Sequence, residues 1–256
     1  MKSITRLFSS HEKEIILEAN KALANPTRRL FGQQALSLGA ISMLTGCTLN
    51  TDDSIEQALM VMSRLNDRVQ SWLFDPNKMA PTYSQAHITD PFPFNAYYPE
   101  EQIRPSPVDF KLMVSGQVMD KKSWTLEDLS TMPQTSQVTR HICVEGWSAI
   151  GKWGGVRFSD FLKRIGADTT AKFVGFRCHD DYYTSIDMPT ALHAQTLLTL
   201  TYADQVLPAK YGYPLKLRIP TKLGYKNPKY IQEIFVTNVN PGGYWEDQGY
   251  NWFGGS

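Results

Sequence analysis

Seven prolines fall within the 32 residues from Pro76 to Pro107, and no regular helix or central strand survives that density. Each proline fixes its own φ, lacks an amide donor and pushes the residue before it out of the helical region. The stretch is therefore a linker or a long arm laid over a domain, and it divides the chain. Ahead of it, residues 52–73 carry Ile55, Leu59, Met62, Val69 and Leu73 on one helical face. Asp52, Asp53 and Ser54 offer N-caps there, and Asp75-Pro76 ends the helix. Behind it, residues 110–118, 137–144, 172–178, 196–201, 214–219 and 231–239 are rich in β-branched and aromatic residues and read as strands. One- to two-turn helices are expected at 125–132 and 159–165, the second capped by Ser159 and stopped by Gly166. There is no βαβ alternation and no internal repeat, so the expected class is α+β with mixed or antiparallel sheets.

Composition excludes several classes. With 42% hydrophobic and 12% aromatic residues in 256, the chain holds enough apolar material for a packed domain and is not disordered throughout. The balance of 26 Lys and Arg against 25 Asp and Glu lacks the basic excess of a nucleic-acid binder, so no nucleic-acid partner is expected. No apolar run reaches the roughly 18–20 residues of a membrane-spanning helix. Three cysteines are too few for a disulfide scaffold.

Thr27 to Cys47 reads as an address. Arg28 and Arg29, followed by Leu30-Phe31 and the moderately apolar run from Ala35 to Gly46, resemble a twin-arginine export signal. Leu44-Thr45-Gly46-Cys47 resembles a lipobox, with Cys47 as the acylated thiol. The expected organisation is a signal segment over 1–46, a helix and Pro-rich arm over 47–107, and a domain over 108–256. The expected location is the periplasm, with a membrane anchor through Cys47.

That leaves Cys143 and Cys178. Cys143 stands in TRHICVEGWSAIGKWGGVRF, with Arg140 and His141 before it, and cationic neighbours bias a thiol toward the thiolate that binds a soft metal or attacks as a nucleophile. Three readings stay open on the residues alone. Cys143 is a buried core cysteine, a disulfide partner of Cys178, or a hydrolase nucleophile served by His179 or His193 with Asp180 or Asp187. No cluster of Cys and His has zinc-site spacing, and C-x-x-C-H is absent.

RHICVEGWSAIGKWGGVRFSDFL together with GYPLKLRIPTKLGYKNPKYIQEI resembles the molybdopterin-binding domain of the sulfite oxidase family, over about Asn95 to Val239. The nearest branch by resemblance is the periplasmic protein-methionine-sulfoxide reductase catalytic subunits. The resemblance implies a sulfite-oxidase-like fold and one molybdenum-molybdopterin per chain, the metal held by two dithiolene sulfurs and one protein thiolate, Cys143. It implies cofactor contacts at Asn95, Tyr98, Pro99, Cys178, Tyr211, Lys216, Lys226, Asn227, Pro228 and Lys229. Four of these depart from the branch pattern: Cys178 replaces a hydroxyl residue, Tyr211 an Asn, Lys216 an Arg and Pro99 a Glu. The Lys keeps the charge without the bidentate fork.

The implied activity is two-electron oxygen-atom transfer, with reduction of a small-molecule or protein-bound S-oxide as the leading expectation. Sulfite-type oxidation, or a lipid-anchored binding protein that keeps the fold without turnover, are the alternatives. A membrane or c-type cytochrome is the expected electron partner. The aromatic tail, with Tyr244, Trp245, Tyr250, Trp252 and Phe253, reads either as a packing strap or as a wall of the substrate funnel. His141, His179, Asp180, Tyr182 and Tyr183 are further candidates around the thiol.

Overall fold

The computed structural model describes residues 53–104, 107 and 109–256, with side chains from residue 62 onward. The export and lipobox segments lie outside the described residues. The chain divides into two compact units, one ending at Val69 and the other running from Gln70 to Ser256. Helix α1, Asp53–Leu73, carries the boundary. On its apolar stripe, Met62 and Leu73 are each 65% exposed and Val69 is part-buried.

The second unit is α+β, as the strand and helix patterns predicted. One sheet holds β1 (Met113–Gly116), β9 (Ile231–Thr237), β4 (Phe173–Cys178) and β5 (Tyr183–Asp187) in that spatial order. It is mixed, because β1 runs parallel to β9 while β4 is antiparallel to both β9 and β5. The other sheet holds β2 (Gln134–Ile142), β3 (Ser148–Arg157), β6 (Leu197–Tyr202) and β7 (Gln205–Val206), with β8 (Lys216–Arg218) also paired to β6, all antiparallel. The main core contains Leu112, Trp124, Phe158, Phe161, Phe176 and Ile234.

Two short helices close this core. In α2, Leu126–Ser130, Thr125 and Asp128 form a reciprocal capping box, which satisfies two otherwise orphaned amides. Helix α3, Phe158–Arg164, buries Phe158, Phe161 and Leu162 at helical spacing. Its cap is Arg157, without a side-chain bond, so Ser159 lies in the first turn and does not cap it. Gly166 does follow the helix at φ +62°.

The longest strand, β3, escaped the composition-based reading because Gly151, Gly154 and Gly155 dilute its β-formers. Those glycines serve close approach: a Cβ on Gly155 would stand 1.9 Å from Leu198 O on β6.

The Pro-rich arm is bonded down along its length. Thr82 bridges to Thr139 and Tyr83 N donates to Val138 O at 3.0 Å, both on β2. Thr89 N donates to Ile150 O at 2.9 Å on β3. Phe92 then plugs into a second apolar cluster with Trp153, Leu207 and Tyr211, where Tyr211 Oη donates to Phe92 O at 2.9 Å. This anchoring delivers Asn95, three residues later, to the site.

Candidate active site

Cys143 follows the last residue of β2 and begins the turn into β3. Cys143 N donates to Trp147 O at 2.9 Å and Gly146 N to Cys143 O at 3.1 Å, with Gly146 at φ +93°. The C-V-E-G-W motif is therefore a tight hairpin turn whose glycine supplies a left-handed backbone. His141 and Cys143 both point inward, since residues two apart on a strand share a face. Cys143 is 7% exposed.

The expected activation by cationic neighbours is not what the fold delivers. Arg140 faces the other way and donates from Nη2 to Tyr83 Oη at 2.5 Å. His141 is held well below the ordinary imidazole range by burial, with Arg218, Lys216 and Lys229 adding repulsion, so it stays neutral. Burial pushes the Cys143 thiol up, and the Glu145 carboxylate adds to that, with Glu145 Oε2 3.7 Å from Sγ. A metal would have to displace this proton on binding. Cys143 and Cys178 are both free thiols, so no disulfide joins them.

Around the thiol lies a cleft of about 130 Å³, lined among others by Asn95, Glu145, Asp180, Lys216, Gly224 and Lys229. Asn95 Nδ2 sits 3.5 Å from Cys143 Sγ and 3.4 Å from His141 Nε2. Gly224 closes the other side: a Cβ there would stand 2.7 Å from His141 Nε2 and 3.1 Å from Asn95 Nδ2. Only glycine lets this loop come so near. Asn95, Lys216 and Lys229 also line a smaller crevice with Tyr211, His141 and Trp153.

The sequence-predicted contacts fall into three groups. Asn95, Cys143, Lys216, Asn227, Pro228 and Lys229 meet at the cleft. Tyr98, Cys178 and Tyr211 stand beside it. Tyr98 Oη donates to Asp180 Oδ2 at 2.9 Å, and Cys178 is buried at the end of β4 with its thiol pushed well up by burial. Pro99 and Lys226 are not among the lining residues. Pro99 is exposed and caps a single turn at Glu100–Gln102, while Lys226 is buried against the tail and ion-paired with Glu246.

Arg218 was missed, although it shares a strand face with Lys216 two residues away. Fully buried, it donates from Nη2 to Arg140 O at 2.6 Å and from Nη1 to Asn227 Oδ1 at 2.9 Å. It thereby ties the strand that carries Cys143 to the loop that carries Lys229. Asn227 is correspondingly occupied, accepting also from Ile219 N at 2.7 Å and donating to Leu223 O at 3.0 Å. Its role is to hold the loop. Gly224, Tyr225 and Glu145 were also missed, although all three lie inside the two segments that carry the family resemblance.

The electrostatics ask for an anion. Lys216 is 5% exposed and its pKa is driven well below the lysine range by burial, then by Lys229 and Arg218. Burial likewise lowers Lys229 to about 8. Among the described residues no carboxylate forms an ion pair with Lys216, Arg218 or Lys229. Buried positive charge without a partner is costly, and an anionic group with many acceptors would relieve it.

Residues 98–245 match the family described as the oxidoreductase molybdopterin binding domain. The chain belongs to that family: it is a molybdopterin-binding oxidoreductase with the sulfite-oxidase-like fold. It is 62% identical over 95% of its length to an Azospira oryzae protein named "Putative protein-methionine-sulfoxide reductase subunit YedZ1", and covers 94% of that relative. The protein-methionine-sulfoxide reductase catalytic subunit MsrP of Ralstonia nicotianae is 29% identical over 59% of this chain, and there the match spans 50% of the relative. Among solved structures, the sulfane dehydrogenase SoxCD from Paracoccus pantotrophus matches 51% of this chain and 38% of its own at a TM-score of 0.48 and 19% identity.

The residues present suit the cofactor. Lys216 and Lys229, which form no ion pair with a carboxylate among the described residues, match its phosphate and polar edges, and one inward thiol matches the single protein sulfur that molybdenum takes.

Proposed function

We propose that this chain is the catalytic subunit of a cell-envelope S-oxide reductase. The observation that carries the reading is the convergence in one cleft of an inward thiol, Cys143, with Asn95, the buried Lys216 and the part-buried Lys229, neither lysine in an ion pair with a carboxylate among the described residues. When bound, the molybdenum cofactor supplies two-electron oxygen-atom chemistry. The net reaction takes an S-oxide, two electrons and two protons to a thioether and water.

The protein's part is placement. Cys143 Sγ is the metal ligand, Lys216 and Lys229 neutralise the pterin phosphate, and Asn95 holds the thiol and His141 in register. Arg218 keeps Asn227 and the end of β2 in fixed relation, so the ligand strand and the cation loop move as one. Neutral His141 adds no further charge beside Lys216 and Lys229 in the adjoining crevice.

Electrons come from a separate redox partner, a reading supported by the word "subunit" in the names of both relatives. The resemblance of Thr27 to Cys47 to a twin-arginine signal ending in a lipobox supports a periplasmic location with an acyl anchor on Cys47. Export of an already folded protein suits a cofactor inserted beforehand.

The test uses protein matured through its export route, assayed for molybdenum and for reduction of S-oxides with an artificial electron donor. Wild type should carry about one molybdenum per chain. Cys143→Ser should lose turnover by at least about 10³-fold with its circular dichroism unchanged, the scale expected when an obligatory metal ligand is removed. Equal turnover in the two proteins refutes the assignment, and turnover of sulfite alone moves the reaction to the oxidative direction. Intact-mass measurement of the membrane fraction tests the anchor, since an unacylated Cys47 in the mature protein would rule it out.

A further inference from the structure

The four lysines of the 216–229 segment do not share one task. Lys216 and Lys229 line the cleft, whereas Lys222 and Lys226 turn to the C-terminal tail. Lys226 and Glu246 form an ion pair whose side chains are 1% and 4% exposed, and Thr184 Oγ1 donates to Glu246 Oε1 at 2.9 Å. Lys222 Nζ donates to Phe253 O at 2.9 Å, Tyr225 Oη to Asn251 O at 2.6 Å, and Trp252 Nε1 to Ser185 Oγ at 2.9 Å. A tail held by an ion pair and four further buried or part-buried hydrogen bonds is a fixed part of the site.

What it fixes is an aromatic surface. After the single turn Glu246–Gln248, Gly249 at φ +92° reverses the chain, and Tyr250 N donates back to Trp245 O at 3.1 Å. The rings of Trp245 and Tyr250 then lie 5.0 Å apart, and Tyr250 lies 5.9 Å from Tyr225. All three line the cleft that holds Cys143. Trp245 and Tyr250 keep exposed surface, Tyr250 at 36%, so they are available to a ligand. The cleft thus has a polar set gathered at Cys143 and Asn95, and an aromatic set in mutual contact on the tail and its loop.

We propose that the tail is the specificity wall of the site: Trp245 and Tyr250, backed by Tyr225, receive the alkyl arms of a dialkyl S-oxide whose oxygen points to the polar end. The inference rests on the S-oxide reading above and assigns the side chains that receive the substrate's alkyl arms. Sulfur and its attached methylenes gain from aromatic contact, while a tetrahedral oxyanion has no hydrocarbon to offer such a wall. Lys226 and Glu246 are positioning residues, acting through the tail.

The experiment uses the molybdenum-loaded protein and compares dimethyl sulfoxide with the bulkier sulfoxide of N-acetyl-methionine amide. In Trp245→Ala and Tyr250→Ala, KM for the bulkier compound should rise by about tenfold, the scale of one or two sulfur–aromatic contacts. KM for dimethyl sulfoxide should rise less, and kcat should stay within about twofold, as expected where binding is lost without loss of chemistry. Trp245→Phe should restore most of the affinity. Should an alanine variant fail to fold, Trp245→Leu and Tyr250→Leu carry the same expectation.

An unchanged KM in both alanine variants, or an equal rise for both sulfoxides, overturns the wall. A second measurement is independent of turnover: calorimetric titration of the loaded protein with N-acetyl-methionine amide should show saturable binding that weakens in Trp245→Ala. Thioether binding that depends on Trp245, without any S-oxide reduction, would leave the wall standing and remove the reductase reading. Reduction with no thioether binding, and no response of KM to Trp245 or Tyr250, would do the reverse.

Discussion

Two faces of one loop treat the same side chain in opposite ways. On the tail face, Lys226 is buried against the Glu246 carboxylate, which supplies its counter-charge. On the cleft face, Lys216 Nζ has Asn227 O at 3.2 Å and Lys229 Nζ has Lys210 O at 3.2 Å, neutral acceptors for charged donors. Burial without a counter-charge marks the place where the fold waits for an anionic ligand, and burial with one marks a structural joint. The contrast separates binding lysines from structural ones where their spacing in the chain does not.

The largest effect should come from breaking the paired side. Glu246→Gln leaves the Lys226 ammonium facing a neutral amide inside the protein, and loss of a buried partner costs about 3 kcal/mol. For a domain of this size Tm should fall by about 6–12 °C in thermal unfolding followed by circular dichroism. The folded fraction should keep its molybdenum. An unchanged Tm would mean that the tail is not latched by this pair.

A smaller effect of opposite character is expected on the other side. Lys216→Met removes a buried charge that has no carboxylate partner, so the cofactor-free protein should be at least as stable as wild type. Cofactor retention should fall by about tenfold or more, because a charge-assisted contact to phosphate is lost. Molybdenum per chain after gel filtration and the Tm of the cofactor-free protein give the two readouts. Loss of stability without loss of molybdenum would erase the distinction between the faces.

Much of this was legible in the chain. The strand runs at 172–178 and 231–239 became β4 and β9 almost to the residue, because β-branched and aromatic density is a local signal. Cys143 stands out in the sequence through its C-V-E-G-W motif, although the cationic neighbours that also mark it do not lower its thiol in the fold. Strand β3 was hidden by glycines whose purpose is close approach to β6, a tertiary fact. Lys226 was placed with the cofactor because its real partner, Glu246, is 20 residues downstream, and spacing inside a loop does not reveal that. Arg218 could have been found, since a second cation two residues from Lys216 in a strand falls on the same face. The capping assigned to Ser159 failed because the helix begins one residue earlier, on Phe158, whose ring the core requires.

The finest test of the comparison is pH. Lys229 is lowered to about 8 by burial, with Asp180, Glu100 and Cys178 opposing that shift and Lys216 close by. A lysine whose folded pKa lies below its unfolded value, ordinarily about 10.4, binds its proton less well when folded. It therefore destabilises the cofactor-free protein fully below pH 8, and the penalty disappears as pH rises from about 8 toward the unfolded value. Lys229→Gln should be more stable than wild type at pH 7, and its advantage should shrink across that window. Comparing the two proteins cancels the tyrosines and thiols that titrate in the same range. With cofactor bound, the phosphate supplies the missing counter-charge, the folded pKa of Lys229 returns toward its ordinary value, and the pH-dependent difference should flatten. The same window in both forms would show that Lys229 faces solvent or protein in each, and would place it with the structural lysines.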